Sequence, residues 1–152
     1  MGFAFATDFI YIFSETPEEP EEKEKGRMLK DEIVRDLGER TMEFALESIR
    51  LFGTLPKSEE ARVLGNQFLR SATSVGANYR EARRGRSKAE FTAKIGDCLK
   101  ELDETSYWFA LLEGAKILPP SRLARLRDEC DQLIAILTVV AKKSKSSTLQ
   151  PS

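Results

Sequence analysis

Four arginines fall within seven residues, Arg80, Arg83, Arg84 and Arg86, and Lys88 follows closely. A guanidinium presents a planar fork of N–H donors that fits two phosphate oxygens, so this cluster suits a nucleic-acid backbone or an acidic protein surface. The arginines also gather where a helix ends, and positive side chains favour a helix C-terminus on dipole grounds alone. Between Arg62 and Lys88 seven bases stand against one acid, Glu81, a local net charge of plus six. No zinc finger, aromatic RNA-binding signature or glycine-rich phosphate loop accompanies them. Any binding here is therefore electrostatic and weakened by salt.

A second chemistry to weigh is that of Glu101 and Glu104, carboxylates one helical turn apart that would serve acid/base work or hold a metal. The chain of 152 residues contains no histidine. That removes the Glu-x-x-His motif of di-iron bundles, the Ser-His-Asp and Cys-His arrangements and most zinc sites. Cys98 and Cys130 have neither the density of a disulfide scaffold nor the spacing of a metal clip. Each lies on an apolar helical stripe and reads as a buried free thiol, a redox pair being the other reading. The sequence thus predicts a reducing, cytoplasmic location, no catalytic residue, no metal and no cofactor.

The elements that carry these residues are helices. Apolar residues make up 41% of the chain and charged residues 32%, ordinary values for a globular protein of one domain. The longest nearly apolar run, Leu133 to Ala141, falls short of a bilayer span. Residues 1–28 read as a flexible acidic arm. Its first part, Met1 to Phe13, holds four of the nine Phe but no basic leader or cleavage site. Its acids exceed its bases by four. A mistaken start upstream of Met28 and a partner-binding arm are the two readings of it.

From Leu29 onward apolar residues recur at three and four, with no strand alternation. The first helix is expected from about Lys30 to Phe52, with Val34, Leu37, Phe44, Ala45, Ile49 and Phe52 inward. A second opens at the N-cap Ser58 and ends near Gly85, and a third opens at the capping box Ser87–Glu90. The third carries Phe91, Ile95, Cys98, Leu102, Thr105, Phe109 and Leu112 along its seam. The fourth, after Pro119-Pro120, carries Leu123, Leu126, Cys130, Leu133, Leu137 and Val140. Short connections between them predict an all-α fold, an up-down-up-down antiparallel four-helix bundle over residues 29–143 with a disordered tail at 144–152.

The second helix bears a narrow polar stripe, Gln67, Ser71, Ser74, Asn78 and Glu81, roughly 100° from its apolar one. Its small and amide side chains favour a contact between helices or between subunits. Folding helices two and three about Gly85 and Arg86 sets Arg70 against Glu101 and Gln67 against Glu104. If buried, the arginine pair is worth about 3 to 5 kcal/mol on deletion of one partner. Tyr107 and Trp108 read as packing residues, with a subunit seam as the alternative for Trp108.

The run from Gln67 to Ala82, with Arg70, Ser71, Ser74, Asn78 and Glu81 filling an R-S-x-x-S-x-x-x-N-x-x-E pattern, resembles the proteins related to the intervening-sequence protein of 23S rRNA genes. Ser87, Phe91, Glu101 and the stretch from Glu104 to Trp108 extend the likeness, which covers roughly residues 29–143. The resemblance implies a four-helix bundle assembled as a homopentamer, without catalysis. Similar accessory variability proteins of diversity-generating retroelements bind nucleic acid and a reverse transcriptase through a basic surface. It therefore implies RNA or DNA as a partner for Arg80, Arg83, Arg84, Arg86 and Lys88, with Arg62 and the tail lysines Lys142, Lys143 and Lys145 adding charge. The alternative is a protein scaffold that docks an acidic partner without nucleic acid.

Overall fold

A computed structural model describes residues 19–146; the side chain of Val34, expected on the inward stripe, and the segments 1–18 and 147–152 lie outside what it describes. The described chain is four helices: α1 (Pro20–Phe52), α2 (Glu59–Arg83), α3 (Lys88–Gly114) and α4 (Pro120–Ser146). Two compact units divide at Glu39 and Arg40.

In the first unit the helix starts at Pro20, about ten residues earlier than expected, so the stretch from Pro20 to Met28 is helical rather than a loose arm. Proline suits the first helical position, and Glu21 and Glu22 sit in the first turn, where carboxylates meet the positive end of the dipole. Glu24 and Arg27 add an exposed i,i+3 pair at 3.8 Å. This part of the helix rests on local pairing, and hydrophobic periodicity gives no signal for that.

The second unit, described from Arg40 to Ser146, is a four-helix bundle. Ser58 Oγ accepts the Ala61 N–H at 3.2 Å and starts α2; Ser87 Oγ accepts the Glu90 N–H at 3.1 Å and starts α3. The return half of the second cap is displaced by one residue, because the Glu90 carboxylate takes the N–H of Arg86 at 2.7 Å. Neighbours are antiparallel. Gly76 lets α2 approach α1 so closely that a Cβ there would lie 3.3 Å from the Thr41 carbonyl oxygen. The last closure joins α4 to α1, with Arg40 donating to both oxygens of Glu129 at 2.9 and 3.1 Å.

The core follows the expected seams on α3 and α4. Ile95, Cys98, Leu102, Thr105, Phe109 and Leu112 are buried, as are Leu123, Leu126, Cys130, Leu133, Leu137 and Val140. Phe91 is only half-buried. Phe68 and Phe109 pack at 5.3 Å between ring centroids. On α1 the stripe is rotated from the one expected. Phe44 is buried, but Ile49 is 48% exposed, and Thr41, Ser48 and Leu51 turn inward in place of Ala45, Ile49 and Phe52. A buried hydroxyl is tolerated because it bonds its own helix: Ser48 Oγ donates to the Phe44 carbonyl at 2.7 Å. The helical end of α4 also runs further than expected, to Ser146, with Ser144 buried.

Candidate nucleic-acid interface

The basic cluster is built by a tight turn. α2 ends at Arg83, and the N–H groups of Arg84 and Gly85 close onto the carbonyls of Glu81 and Ala82, each at 3.0 Å. A Cβ at Gly85 would lie 3.1 Å from the Ala82 oxygen and 3.2 Å from the Phe91 nitrogen, so any other residue there requires the backbone to yield. This closeness brings the last turn of α2 and the first of α3 together. Arg80, Arg83, Arg84, Arg86 and Lys88 all come out exposed, and among the described residues none of their side chains forms an ion pair with an acid.

Two carboxylates lie near enough to cancel that charge, and both are occupied. Glu81 binds Lys94 at 2.6 Å, and this hydrogen bond holds the lysine above its usual range. Glu90 caps the backbone of Arg86. A helix N-terminus could itself attract an anion, but that of α3 is filled by Glu90, so the arginine side chains carry the positive field.

The end of α4 reaches the same end of the bundle, since the hydroxyls of Thr92 and Ser144 are hydrogen-bonded to one another. This brings Lys142, Lys143 and Lys145 to the neighbourhood of the α2–α3 turn, on a helix rather than a loose tail. Arg62 lies at the opposite end of α2, where it pairs with Glu59, and does not join the cluster.

The polar stripe of α2 divides into separate roles. Ser71 is buried against α3; its hydroxyl donates to the Phe68 carbonyl at 3.0 Å, and its Oγ, at 2.8 Å, shares the Thr105 hydroxyl proton with the Glu101 carbonyl. Ser74 is half-exposed and donates to the Arg70 carbonyl at 2.7 Å. Asn78 is half-buried, whereas Gln67 and Glu81 are exposed. Arg70 does meet Glu101, at 3.4 Å, and also binds Glu104. The expected Gln67–Glu104 pair does not form, because Glu104 is held by Arg70 and by the Trp108 indole N–H at 3.2 Å. The register of α2 on α3 runs a few residues beyond the one the turn alone predicts, with Val75 against Cys98 and Ser71 against Thr105. The arginine is a surface group, its side chain 48% exposed, so it is not the buried pair expected. Trp108 is half-buried, and Tyr107, expected as a packing residue, is 58% exposed beside it.

With both carboxylates bound to one guanidinium, Glu101 and Glu104 form a salt-bridge network. No group of acidic, cysteine or histidine side chains able to hold a metal occurs among the described residues. The thiols of Cys98 and Cys130 are buried and free, and burial pushes each up to about 12. No helix among the described residues is long and apolar enough to cross a membrane.

A four-helix bundle with a basic end and an Arg-Ser-x-x-Ser-x-x-x-Asn-x-x-Glu stripe is thus the class of protein that the fold and residues define. Residues 36–139 match the profile of the 23S rRNA-intervening sequence protein family, and the chain belongs to that family. It is similar to a crystal structure of a protein of unknown function from the S23 ribosomal protein family of Bacteroides thetaiotaomicron. The identity is 30%, the TM-score 0.68, and the match covers 72% of this chain and 97% of that one. Among curated proteins none matches.

Proposed function

We propose that this chain is a non-enzymatic, cytoplasmic homo-oligomer that binds the backbone of RNA or DNA through Arg80, Arg83, Arg84, Arg86 and Lys88. The observation that carries this reading is the exposed arginine cluster at one end of the bundle, whose side chains pair with no acid among the described residues, with the lysines of α4 beside it. Of the two nearby carboxylates Glu81 is neutralised by Lys94 and Glu90 bonds the Arg86 backbone, so five bases still outweigh them and leave a positive field for a polyanion. The family name, which refers to sequences intervening in 23S rRNA, favours RNA.

Assembly into a ring, five-membered as the resemblance implies, multiplies a weak contact by avidity. It is supported by an exposed apolar face on α1, where Met42, Leu46 and Ile49 recur at four and three and remain 40% or more exposed. The test is a gel shift with mixed RNA and DNA at two salt concentrations on nuclease-treated protein. Binding that weakens with salt and is lost in Arg83→Ala/Arg84→Ala/Arg86→Ala supports the reading. Binding indifferent to both, or no binding at all, removes it and moves the assignment to a scaffold that docks an acidic protein partner; a reverse transcriptase is the protein partner that the resemblance implies.

A further inference from the structure

A second positive site lies at the other end of the bundle. The last turn of α1 and the first turns of α4 enclose an open cleft of about 320 Å³. Its floor is apolar, Leu51 and Leu126, and its rim carries Arg50, Arg122 and Arg125 against one carboxylate, Glu47. Arg125 pairs with Glu47, and Arg122 donates to Thr54 Oγ1 at 2.8 Å. Arg50 reaches Glu43, outside the cleft lining, at 3.0 Å.

At this end of the bundle Arg125–Glu47 ties α4 to α1, and Arg122–Thr54 ties α4 to the turn after α1. Arg50 does no packing, since its side chain is 65% exposed. Each of these contacts uses one of the five donors of a guanidinium, so three forks keep unfilled donors around one cleft. Three positive groups face one carboxylate, and the positive charge still exceeds the negative when Glu43 is counted. A planar fork recognises phosphate by paired donors, and three forks lining the rim of one small cleft favour one tetrahedral anion over a flat surface contact. The cleft volume lies at the small end of ligand pockets.

We propose that this cleft binds a phosphate group, presented on a small phosphomonoester or on a nucleic-acid backbone. The site is independent of the arginine cluster at the α2–α3 turn. In ³¹P NMR of the full-length protein with inorganic phosphate, at constant ionic strength in chloride, the phosphate line broadens when it exchanges with a slowly tumbling site. The proposal expects this broadening to be lost in Arg50→Gln/Arg122→Gln and kept in Arg83→Gln/Arg84→Gln. Arg50→Gln alone is the safeguard, because that exposed side chain can be removed without disturbing the fold, and it should reduce the broadening by itself. Displacement by a nucleoside 5′-monophosphate identifies the monoester as the source, and displacement by an oligonucleotide without terminal phosphate identifies the backbone. No broadening with the wild-type protein overturns the proposal, as does broadening unchanged in the two Arg50 variants or abolished only by changes at Arg83 and Arg84.

Discussion

Arg70 on α2 bridges two carboxylates of α3 one turn apart, meeting Glu101 at 3.4 Å and binding Glu104 as well, and it does so at the surface. A guanidinium fixed by two acids is a clamp on the α2–α3 register, which Ser71 and Thr105 set from within. Solvent screens the clamp, so its contribution is that of an exposed pair. Arg70→Ala is expected to cost no more than about 1 kcal/mol in chemical denaturation, less in high salt, instead of the several kcal/mol of a buried pair.

The same contact has a pH signature. The hydrogen bond from Arg70 holds Glu104 below the usual carboxylate range. A lowered folded-state pKa contributes stability above the unfolded value and loses it as pH falls through the folded one. The gap in stability between wild type and Arg70→Ala should therefore be present at neutral pH and close as Glu104 protonates below about 4.5. A gap that persists at pH 2 would show that the arginine acts through packing of its stem.

The buried thiols give a prediction of opposite sign. Desolvation raises Cys98 and Cys130 from 9.0 to about 12, so the folded state holds two protons that the unfolded state releases earlier. Stability is complete below pH 9 and falls between pH 9 and 12, by up to roughly 1.4 kcal/mol per pH unit for each thiol. A thiol-reactive dye at pH 8 should label neither cysteine in the native protein and both in denaturant. Labelling without unfolding would contradict their burial.

Lys116, just after α3, has a φ of 56°, in the left-handed region where a Cβ is strained. The backbone is held there by the Ile117 and Leu118 N–H groups, both bonded to the Leu112 carbonyl. Lys116→Gly is expected to raise stability by about 1 kcal/mol in a denaturant titration.

The apolar face of α1 is the element to disrupt if the chain self-associates. Leu46→Glu, at a position 40% exposed, should leave helical content unchanged and reduce the mass measured by light scattering. An unchanged mass would place the seam on another face.

Much of this architecture is legible from residue types. Ser58 and Ser87 announce two helix starts because a hydroxyl can accept a free N–H of the first turn. The seams of α3 and α4 repeat at three and four with few polar interruptions. α1 is less legible, since Thr41 and Ser48 occupy core positions that a count of apolar residues assigns to their neighbours. Its early start leaves no such signal either, because no buried face marks the stretch from Pro20 to Met28.

At the site, the clustering of Arg80, Arg83, Arg84 and Arg86 is plain in the sequence, but the arrival of Lys142, Lys143 and Lys145 beside them depends on how α4 meets α3. The depth of Arg70 carries no sequence signal for a similar reason: helical phase locates a residue on a face, and only packing decides whether that face is covered. The cleft of Arg50, Arg122 and Arg125 joins residues some seventy positions apart, with no local signal.

The central claim is electrostatic binding of a nucleic-acid backbone at the α2–α3 turn, and the salt dependence of affinity tests it most directly. Affinity for a single-stranded oligonucleotide should fall linearly with salt on logarithmic axes. For five contacts the slope is roughly −3.5, and Arg83→Ala/Arg84→Ala/Arg86→Ala should reduce its magnitude by about 2. An affinity with no salt dependence, or a slope the triple variant leaves unchanged, would contradict it.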